Sequence, residues 1–332
     1  MEPVESALGT RTKLRGAVVY NPTKVDLPAL KQAVDEAAHE AGWEPPLWLP
    51  TTEDDPGNGR TREALKQNAT VVLAAGGDGT VRAVSESLHN TGVPLAIVPT
   101  GTGNLLARNL SLDLTRVKKS VSAAFTGRTR AIDVGVATLT HATGEITERV
   151  FVVMAGLGLD AHMIANTKPT LKNRVGWLAY FDSGVKSIWS HTPVTIRFTL
   201  DGASERTARV STILVGNCGR LPGNIRLLPG AAIDDGFLDI AAIQPRSAVG
   251  WVQVCHSVAW KNFFLRHRAM NHSRTNRTDS PRIRAMSYLR GKSIQISVDP
   301  PEQIQFDGDA GGLVRSVSIT VDPGSLLVKV PA

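Results

Sequence analysis

The sequence has 332 residues, of which 42% are apolar and 20% are charged, and this composition excludes a disordered chain. Its two cysteines, Cys218 and Cys255, exclude a disulfide framework and a cysteine zinc site, and they fit a reducing cytosol. The formal net charge of +7 favours an acidic partner, which can be a nucleotide, an anionic lipid surface or nucleic acid.

Strands and helices alternate in the first part of the chain. Short apolar runs predict strands at 16–20, 46–49, 71–75 and 95–98. Apolar residues at three- and four-residue steps predict helices at 27–42, 61–68 and about 81–88. The run 71–75 has no polar interruption, as is typical of a parallel strand that is covered on both faces. This order predicts a doubly wound, three-layer α/β domain over residues 14–131.

The second part of the chain is rich in predicted strands, which lie at 132–139, 150–154, 194–200, 210–215, 237–243, 294–298 and 317–321. Helical patterns occur at 175–189 and 249–266, and the polar, basic stretch 267–287 predicts a loop. We therefore expect a β-sandwich domain over residues 132–321.

A glycine-rich turn follows the predicted strand 71–75 and consists of Gly76, Gly77, Asp78, Gly79 and Thr80. In open parallel sheets, ligands bind at this end of the strands. Glycine lets the backbone approach phosphate oxygens, and the N-terminus of the next helix adds partial positive charge. Asp78 fits beside phosphates if it binds a metal or orients a donor, and Thr80 can cap the helix or donate to a phosphate. The alternative is a tight glycine turn capped by Asp78 and Thr80.

A second glycine-rich loop, residues 100–104, follows the next predicted strand, 95–98. The two loops are expected to face each other at the same edge of the sheet. One such loop is weak evidence of a nucleotide site, whereas two loops after consecutive strands are stronger evidence. An ordinary strand-to-helix turn is the alternative for the second loop.

The two loops, together with Asn21-Pro22 after the first strand, resemble the diacylglycerol kinase catalytic family and its sphingosine and ceramide kinase relatives. The resemblance continues at Asp133 with Gly135, residues 156–161, Tyr180 with Lys186, residues 229–238, residues 306–309 and residues 321–331. It extends over residues 14–331 and is that of the soluble bacterial lipid kinases.

The resemblance implies an N-terminal nucleotide-binding domain, closed by the C-terminal segment at about residues 322–331, and a C-terminal β-sandwich. The active site would lie in the cleft between the two domains. By position, the residues implied around the nucleotide, ATP, are Asn21, Thr51, Gly76, Gly77, Asp78, Gly79, Thr80, Val81, Gly101, Thr102 and Asn104. Thr52 is the alternative to Thr51.

The resemblance also implies a metal loop. Asp235, with the main-chain carbonyls of Ala232 and Phe237, matches the family's structural Mg²⁺ loop, and oxygen ligands in one short turn suit a hard cation. A surface hairpin turn is the alternative for residues 234–236. The implied supporting positions are Asp133, Lys186 and Asp307.

Asp309 occupies the position of the family's glutamate, which accepts the proton of the attacking hydroxyl. Aspartate is one methylene shorter, so its reach differs by about 1.5 Å, a carbon–carbon bond length. A misplacement of that size lowers rates on the order of a hundredfold. Asp78 is the second expected catalytic residue, and Leu105 stands where many bacterial relatives carry an aspartate. The alternative for residues 307–309 is a polar turn between strands.

A membrane surface is one expected partner, although no window of about eighteen apolar residues predicts a membrane span. The pattern 249–266 carries aromatic residues such as Trp251 and Trp260, and a basic stretch follows it. An aromatic helix beside basic residues suits an anionic membrane. A helix packed on the sandwich, followed by a solvated basic loop, is an equal alternative. Nucleic acid is a weaker third choice because no binding module is recognised.

Residues 1–15 lack the apolar run of a secretory signal, so we expect a cytoplasmic protein with peripheral membrane contact. A homodimer is left open. The sequence predicts an ATP- and Mg²⁺-dependent kinase that acts on diacylglycerol or a similar lipid alcohol. One alternative is a kinase for a soluble substrate, since NAD kinases share the first turn. Another is a nucleotide-binding regulator with weakened catalysis, because Asp309 and Leu105 depart from the family pattern.

Overall fold

The computed structural model describes residues 14–158, 193–222, 225–244 and 286–332. Several sequence-based expectations lie outside these residues. They are the helices at 175–189 and 249–266, residues 159–161 of the third glycine-rich turn, Tyr180, Lys186, and the basic stretch as far as residue 285.

The first part of the chain alternates strands and helices, as predicted. Its elements are β1 (Arg15–Tyr20), α1 (Leu27–Glu40), β2 (Glu44–Pro50), α2 (Asn58–Lys66), β3 (Val71–Gly76), α3 (Asp78–Leu88), β4 (Leu95–Pro99), α4 (Leu105–Asn109) and α5 (Val117–Thr126). The four strands pair in parallel in the order β4-β3-β1-β2. Helix α1 begins after Asp26, whose carboxylate accepts a hydrogen bond from the Ala29 N–H at 3.2 Å.

The strands of this sheet are covered on both faces because their side chains alternate between two apolar clusters. Val72 and Ala74 of β3 pack with α2 and α3, whereas Val71 and Leu73 pack with α1 and α5. Burying a side chain such as Leu73 contributes about 1.5–3 kcal/mol. The predicted three-layer arrangement is therefore confirmed.

Two local expectations in this part differ from the structure. Helix α3 begins at Asp78 rather than at about residue 81, because Gly77 has extended backbone angles and serves as the N-cap. Helices α4 and α5 were not predicted, although the buried residues Val121, Ala124 and Phe125 of α5 follow helical spacing. No side-chain cap marks the start of α5, which removes the usual sequence signal.

The remaining described elements are strands. They are β5 (Arg128–His141), β6 (Ile146–Phe151), β7 (Met154–Gly158), β8 (Val194–Leu200), β9 (Arg206–Val210), β10 (Thr212–Gly216), β11 (Arg220–Leu221), β12 (Ile225–Arg226), β13 (Leu238–Ile243), β14 (Met286–Gly291), β15 (Ser293–Phe306) and β16 (Asp309–Val330). The predicted strand 150–154 is interrupted at 152–153, where β6 ends and β7 begins.

Strand β15 joins the two layers of the predicted β-sandwich. Its first half pairs with β8, and its last residues pair with β7. One layer continues from β15 through β16 to β5 and β6, and the other continues from β7 through β10 and β13 to β14. Buried side chains from both layers, among them Ile196, Ile213 and Ile294, form one core cluster. The predicted fold, an α/β domain followed by a β-sandwich, is confirmed.

Strand β16 runs from the sandwich into the first domain. Near its start it pairs with β15, and near its end Val328 pairs in parallel with Leu95 of β4. The last residues of β16 also pair with residues 128–132 of β5. The sandwich and the sheet of the first domain therefore share one hydrogen-bonded path, while the boundaries 14–131 and 132–321 stay predictions. No described helix has the length and apolar character needed to cross a membrane.

Candidate functional site

The first glycine-rich turn lies where β3 ends and α3 begins. A Cβ added at Gly76 would lie 2.6 Å from the Thr80 hydroxyl oxygen, so only glycine lets this side chain pack there. Thr80 is buried in the first turn of α3. Gly77 rather than Thr80 caps the helix, which corrects the expected capping role of Thr80. The Val81 N–H donates to the Gly77 carbonyl at 3.1 Å, which closes the first helical turn.

The Asp78 carboxylate holds the second loop in place. Its two oxygens accept hydrogen bonds from the Asn104 N–H at 3.0 Å and the Leu105 N–H at 2.6 Å. A Cβ at Gly103 would lie 2.3 Å from an Asp78 oxygen, so the loop needs glycine at that position. Burial raises the pKa of Asp78, while the hydrogen bonds from the Leu105 and Asn104 backbones oppose this shift. Of the two roles considered for Asp78, this geometry favours orienting donors of the second loop.

The two glycine-rich loops touch each other, as expected from their positions after β3 and β4. A Cβ at Gly101 would lie 2.7 Å from the Gly77 Cα, so the two backbones are in direct contact. Asn104 adopts a left-handed conformation, with φ of 47°, and its side-chain amide donates to the Gly101 carbonyl. The Arg108 guanidinium donates to the Gly103 carbonyl at 2.6 Å and to that of Thr102 at 3.4 Å. These contacts fix the shape of the loop.

Two further predicted nucleotide residues lie at the same edge of the sheet. Asn21 follows β1, and its side-chain oxygen accepts hydrogen bonds from the Thr23 N–H at 3.0 Å and the Thr23 hydroxyl at 2.7 Å. Thr51 follows β2 and is buried, and its N–H donates to the Tyr20 carbonyl at 2.8 Å. With Gly76 at the end of β3 and Gly101 after β4, each of the four parallel strands has a predicted nucleotide-binding residue at its carboxyl end.

Lys24 is a site residue that the sequence analysis missed. Its Nζ would lie 3.1 Å from a Cβ at Gly77, and its charge opposes the rise that burial causes in the pKa of Asp78. A cation beside a glycine backbone at a helix N-terminus suits a phosphate group. The available signal was its place in Asn21-Pro22-Thr23-Lys24, three residues beyond the asparagine that was selected.

Asp309 lies beside the first loop, at the start of β16. Its Oδ2 accepts a hydrogen bond from Nε of Arg82 at 2.9 Å and would lie 3.7 Å from a Cβ at Gly79. Arg82 also contacts the Glu86 carboxylate at 3.1 Å, and Glu86 accepts from the Asn58 amide at 3.0 Å. The Asp309 side chain is 44% exposed, so a ligand can reach it. Arg82 was not selected from the sequence because its partner is remote in the chain.

Asp307 anchors the turn that carries Asp309. Its carboxylate accepts hydrogen bonds from the N–H groups of Val152, Val153 and Met154 at 2.8–2.9 Å. Burial raises the pKa of Asp307 to about 6, while the three N–H donors and Arg82 oppose this shift. Asp307, which was predicted as a supporting residue, thus binds the backbone between β6 and β7 to the turn that carries Asp309.

Asp133 holds a different pair of turns together. Its carboxylate accepts hydrogen bonds from the Gly236 N–H at 2.6 Å and the Gly324 N–H at 2.9 Å. Its own N–H donates to the Ile233 carbonyl at 2.8 Å. These bonds occupy the carboxylate with backbone donors, so Asp133 supports the 232–237 loop.

The loop predicted to bind structural magnesium is contacted by a cation from β14. The Asp235 carboxylate forms a close ion pair with the Arg290 guanidinium and accepts a hydrogen bond from the Phe237 N–H at 3.2 Å. With a guanidinium on the only carboxylate of the predicted set, Ala232, Asp235 and Phe237 do not fit Mg²⁺. Within the described ranges, no group of three or more His, Cys, Asp or Glu side chains is arranged to hold a metal ion.

A cleft of about 610 Å³ opens beside Asp309. One wall comes from α2, α3 and the loop before α2, and the other from β6 and the β15–β16 turn. Its charged lining residues are Asp54, Arg62, Arg82, Glu86, Arg149 and Asp309. The cleft thus places a polar space between the two domains, with Asp309 at its border.

Comparison with known proteins covers most of the chain. Residues 15–137 match the family described as "Diacylglycerol kinase catalytic domain". Residues 152–330 match "YegS C-terminal NAD kinase beta sandwich-like domain". The crystal structure of a diacylglycerol kinase from Bacillus anthracis str. Sterne has the same fold, with a TM-score of 0.67, 19% identity, and coverage of 97% of this chain and 98% of that one.

Two curated relatives differ in how much of their length is matched. A Pseudomonas fluorescens protein named "Probable lipid kinase YegS-like" is 30% identical over 305 residues, which cover 90% of each chain. An uncharacterized protein of Synechocystis sp. is 28% identical over 263 residues, which cover 78% of this chain and 54% of that protein. The chain therefore spans about half the length of the second relative.

Proposed function

We propose that this chain is an ATP-dependent lipid kinase. The premise is that it belongs to the diacylglycerol kinase family and has a YegS-type C-terminal domain. It transfers the γ-phosphate to a hydroxyl of diacylglycerol or a similar lipid alcohol and yields a phosphatidic-acid-like product. The single observation that carries this proposal is the contact of three chain segments. Gly77 touches Gly101, and Asp309 approaches Gly79.

The two glycine-rich loops form the phosphate-binding half of the proposed site. Their exposed backbone, the N-terminus of α3 and the Lys24 ammonium all favour negative charge at the same point. Asp78 fixes the second loop against the first through its two N–H partners. The lone pairs that these two bonds leave open on its carboxylate would suit nucleotide-bound Mg²⁺. When bound, Mg²⁺ neutralises charge on the phosphates.

The cleft beside Asp309 forms the acceptor half. An acceptor hydroxyl placed there attacks the γ-phosphorus, a new P–O bond forms, and the bond to the bridging oxygen of ADP breaks. The proton of the hydroxyl passes to the Asp309 carboxylate, which releases it to solvent. Arg82 acts as a positioning residue because it binds Asp309 on the side of α3.

The ion pair with Arg82 offers a physical account of the shorter side chain at position 309. A bonded guanidinium restricts the rotamers of Asp309 and draws its carboxylate toward the first loop. The precise position of the proton acceptor governs the rate of transfer more than the length of its side chain. This favours an active enzyme over a regulator that has lost catalysis.

Contact with an anionic membrane surface is part of the proposal. A diacylglycerol acceptor is embedded in a bilayer, so the protein must reach its surface. The support is the aromatic and basic composition of residues 249–292, since the helix predicted at 249–266 lies outside the described residues. We propose a cytoplasmic protein that binds the membrane peripherally.

The decisive experiment incubates the purified chain with labelled ATP, Mg²⁺ and a panel of lipid alcohols in mixed micelles, with NAD as a soluble acceptor. We expect a labelled lipid product and no phosphorylated NAD. Asp309→Asn, which keeps the size of the side chain but cannot accept the proton, is the negative control. Labelled NAD without a lipid product would refute the lipid-kinase proposal, and tight ATP binding without any product would favour a regulator.

A further inference from the structure

The loop at residues 232–237 is held in shape without a metal ligand set. Asp133 forms two hydrogen bonds with this loop: its carboxylate accepts from the Gly236 N–H, and its own N–H donates to the Ile233 carbonyl. Asp234, at the loop's outer side, pairs with the Arg130 guanidinium at 2.6 Å. Each of these two carboxylates is thus satisfied by a backbone donor or by an arginine.

The third carboxylate, Asp235, is paired with Arg290 from another strand. Strands β13 and β14 pair in antiparallel register, which places Arg290 opposite Asp239. From there the guanidinium contacts the Asp235 carboxylate, and its Nε lies 3.9 Å from an Asp239 oxygen. Arg290 thereby lies between two carboxylates, one on the loop and one on the strand that follows it.

Phe237 completes the environment of this cation. The Arg290 guanidinium carbon lies 4.2 Å from the centre of the Phe237 ring, and Lys292 Nζ lies 5.6 Å from the same ring. Arginine stacks well on aromatic rings because its guanidinium is planar and weakly hydrated. The Arg290 side chain is 32% exposed, so most of it is packed against the loop.

We infer that the Arg290 guanidinium is the built-in cation of this loop and takes the position that a structural divalent ion would occupy. An arginine stays protonated at all ordinary pH values, so its charge is permanent. Magnesium demands a near-octahedral set of oxygen ligands and would be repelled by the bonded guanidinium. The C-terminal domain of this chain therefore reaches its full stability without a divalent ion at the loop.

The test measures thermal unfolding of the full chain without nucleotide, in EDTA and in excess Mg²⁺. We expect equal melting temperatures for the unaltered chain. Arg290→Gln, which removes the charge, should melt lower in EDTA and recover on addition of Mg²⁺, because the ion then replaces the positive charge that Arg290 placed beside Asp235. Arg290→Lys is the matched control and should stay insensitive to Mg²⁺.

Asp78 is a second carboxylate that a metal can reach, so the same scans are made in an Asp78→Asn background. The inference would be overturned by one pattern of results. In it, EDTA lowers the melting temperature of the unaltered chain and of Asp78→Asn, but does not lower that of Asp235→Asn. Failure of Mg²⁺ to stabilise a folded Arg290→Gln variant would also count against it. If Arg290→Gln does not fold, the inference is still tested by the effect of EDTA on the melting temperatures of the unaltered chain and of Asp235→Asn.

Discussion

Arg82 and Asp309 stand 227 positions apart in the sequence and form a 2.9 Å ion pair at the border of the interdomain cleft. We expect Arg82→Ala to lower kcat on the order of a hundredfold, because Asp309 loses the contact that directs it toward the first loop. The KM for ATP should change little, since the phosphate loops are untouched. Arg82→Lys, which keeps the positive charge but not the planar guanidinium, should recover part of the rate. An equal loss of ATP affinity and of rate would contradict a positioning role.

The length of the side chain at position 309 can be tested directly. Asp309→Glu adds one methylene and moves the carboxylate by about 1.5 Å from the position set by Arg82. We expect kcat to fall by about ten- to a hundredfold rather than rise. The measurement is steady-state transfer with saturating ATP. A faster enzyme would mean that the aspartate is a weakened base and that Arg82 does not compensate for it.

Asp78 joins the two glycine-rich loops, so its replacement should disconnect them. Asp78→Ala leaves the N–H groups of Asn104 and Leu105 without their acceptor, at a cost of about 1–3 kcal/mol each if they stay buried. We expect phosphate transfer to be abolished while the circular dichroism spectrum is unchanged. Asp35→Asn, at an exposed position of α1, is the matched control and should have normal activity. Near-normal transfer by Asp78→Ala would refute the site.

Lys24 is expected to contribute charge to nucleotide binding. Lys24→Ala should weaken ATP binding by about tenfold or more, because a charge-assisted hydrogen bond contributes about 1.5–3 kcal/mol. Lys24→Arg should keep most of the affinity, and Lys66→Ala, at the exposed end of α2, should have no effect. Calorimetric titration with ATP provides the measurement. Equal affinities of all four proteins would exclude Lys24 from the phosphate site.

Asp307 should make stability depend on pH in an unusual direction. Its pKa in the folded protein is about 6 against an ordinary value of 3.8, so between these values the folded state binds more protons than the unfolded state. Its contribution is therefore largest at low pH and falls by about 3 kcal/mol as the pH rises through about 6.

The check is urea unfolding of the unaltered chain and of Asp307→Asn between about pH 4 and pH 7. We expect the difference in unfolding free energy to shrink as the pH rises. A difference that grows with pH would show that the three N–H donors of Val152, Val153 and Met154 outweigh burial.

The sequence predicted the architecture well because apolar periodicity decides which faces are buried. The contact between the two glycine-rich loops was also predictable, because the carboxyl ends of parallel strands meet at one edge of the sheet. What it could not supply are contacts between remote segments. Arg82, Lys24 and Arg290 are unremarkable basic residues in the sequence, and each acquires a role only through a partner that folding brings near it.

The start of α3 shows a smaller limit of the same kind. Gly77 and Gly79 lower the helix propensity of this segment, so the helix was predicted to start at about residue 81, beyond Asp78. In the structure, the extended backbone of Gly77 lets the helix begin directly after β3. The extra turn brings Asp78 to the second loop and Arg82 to Asp309.

Strand β16 carries Asp309 at one end and pairs with β4 at the other. The distance between Asp309, the proposed proton acceptor, and the sheet of the first domain is thus set by the number of residues along a single strand and by its register. Displacing β16 by one residue against β5 would shift Asp309 by about 3.3 Å and reverse which side chains face the core. Insertions or deletions far from the cleft, anywhere along this strand, would therefore alter catalysis while leaving every residue of the site in the sequence.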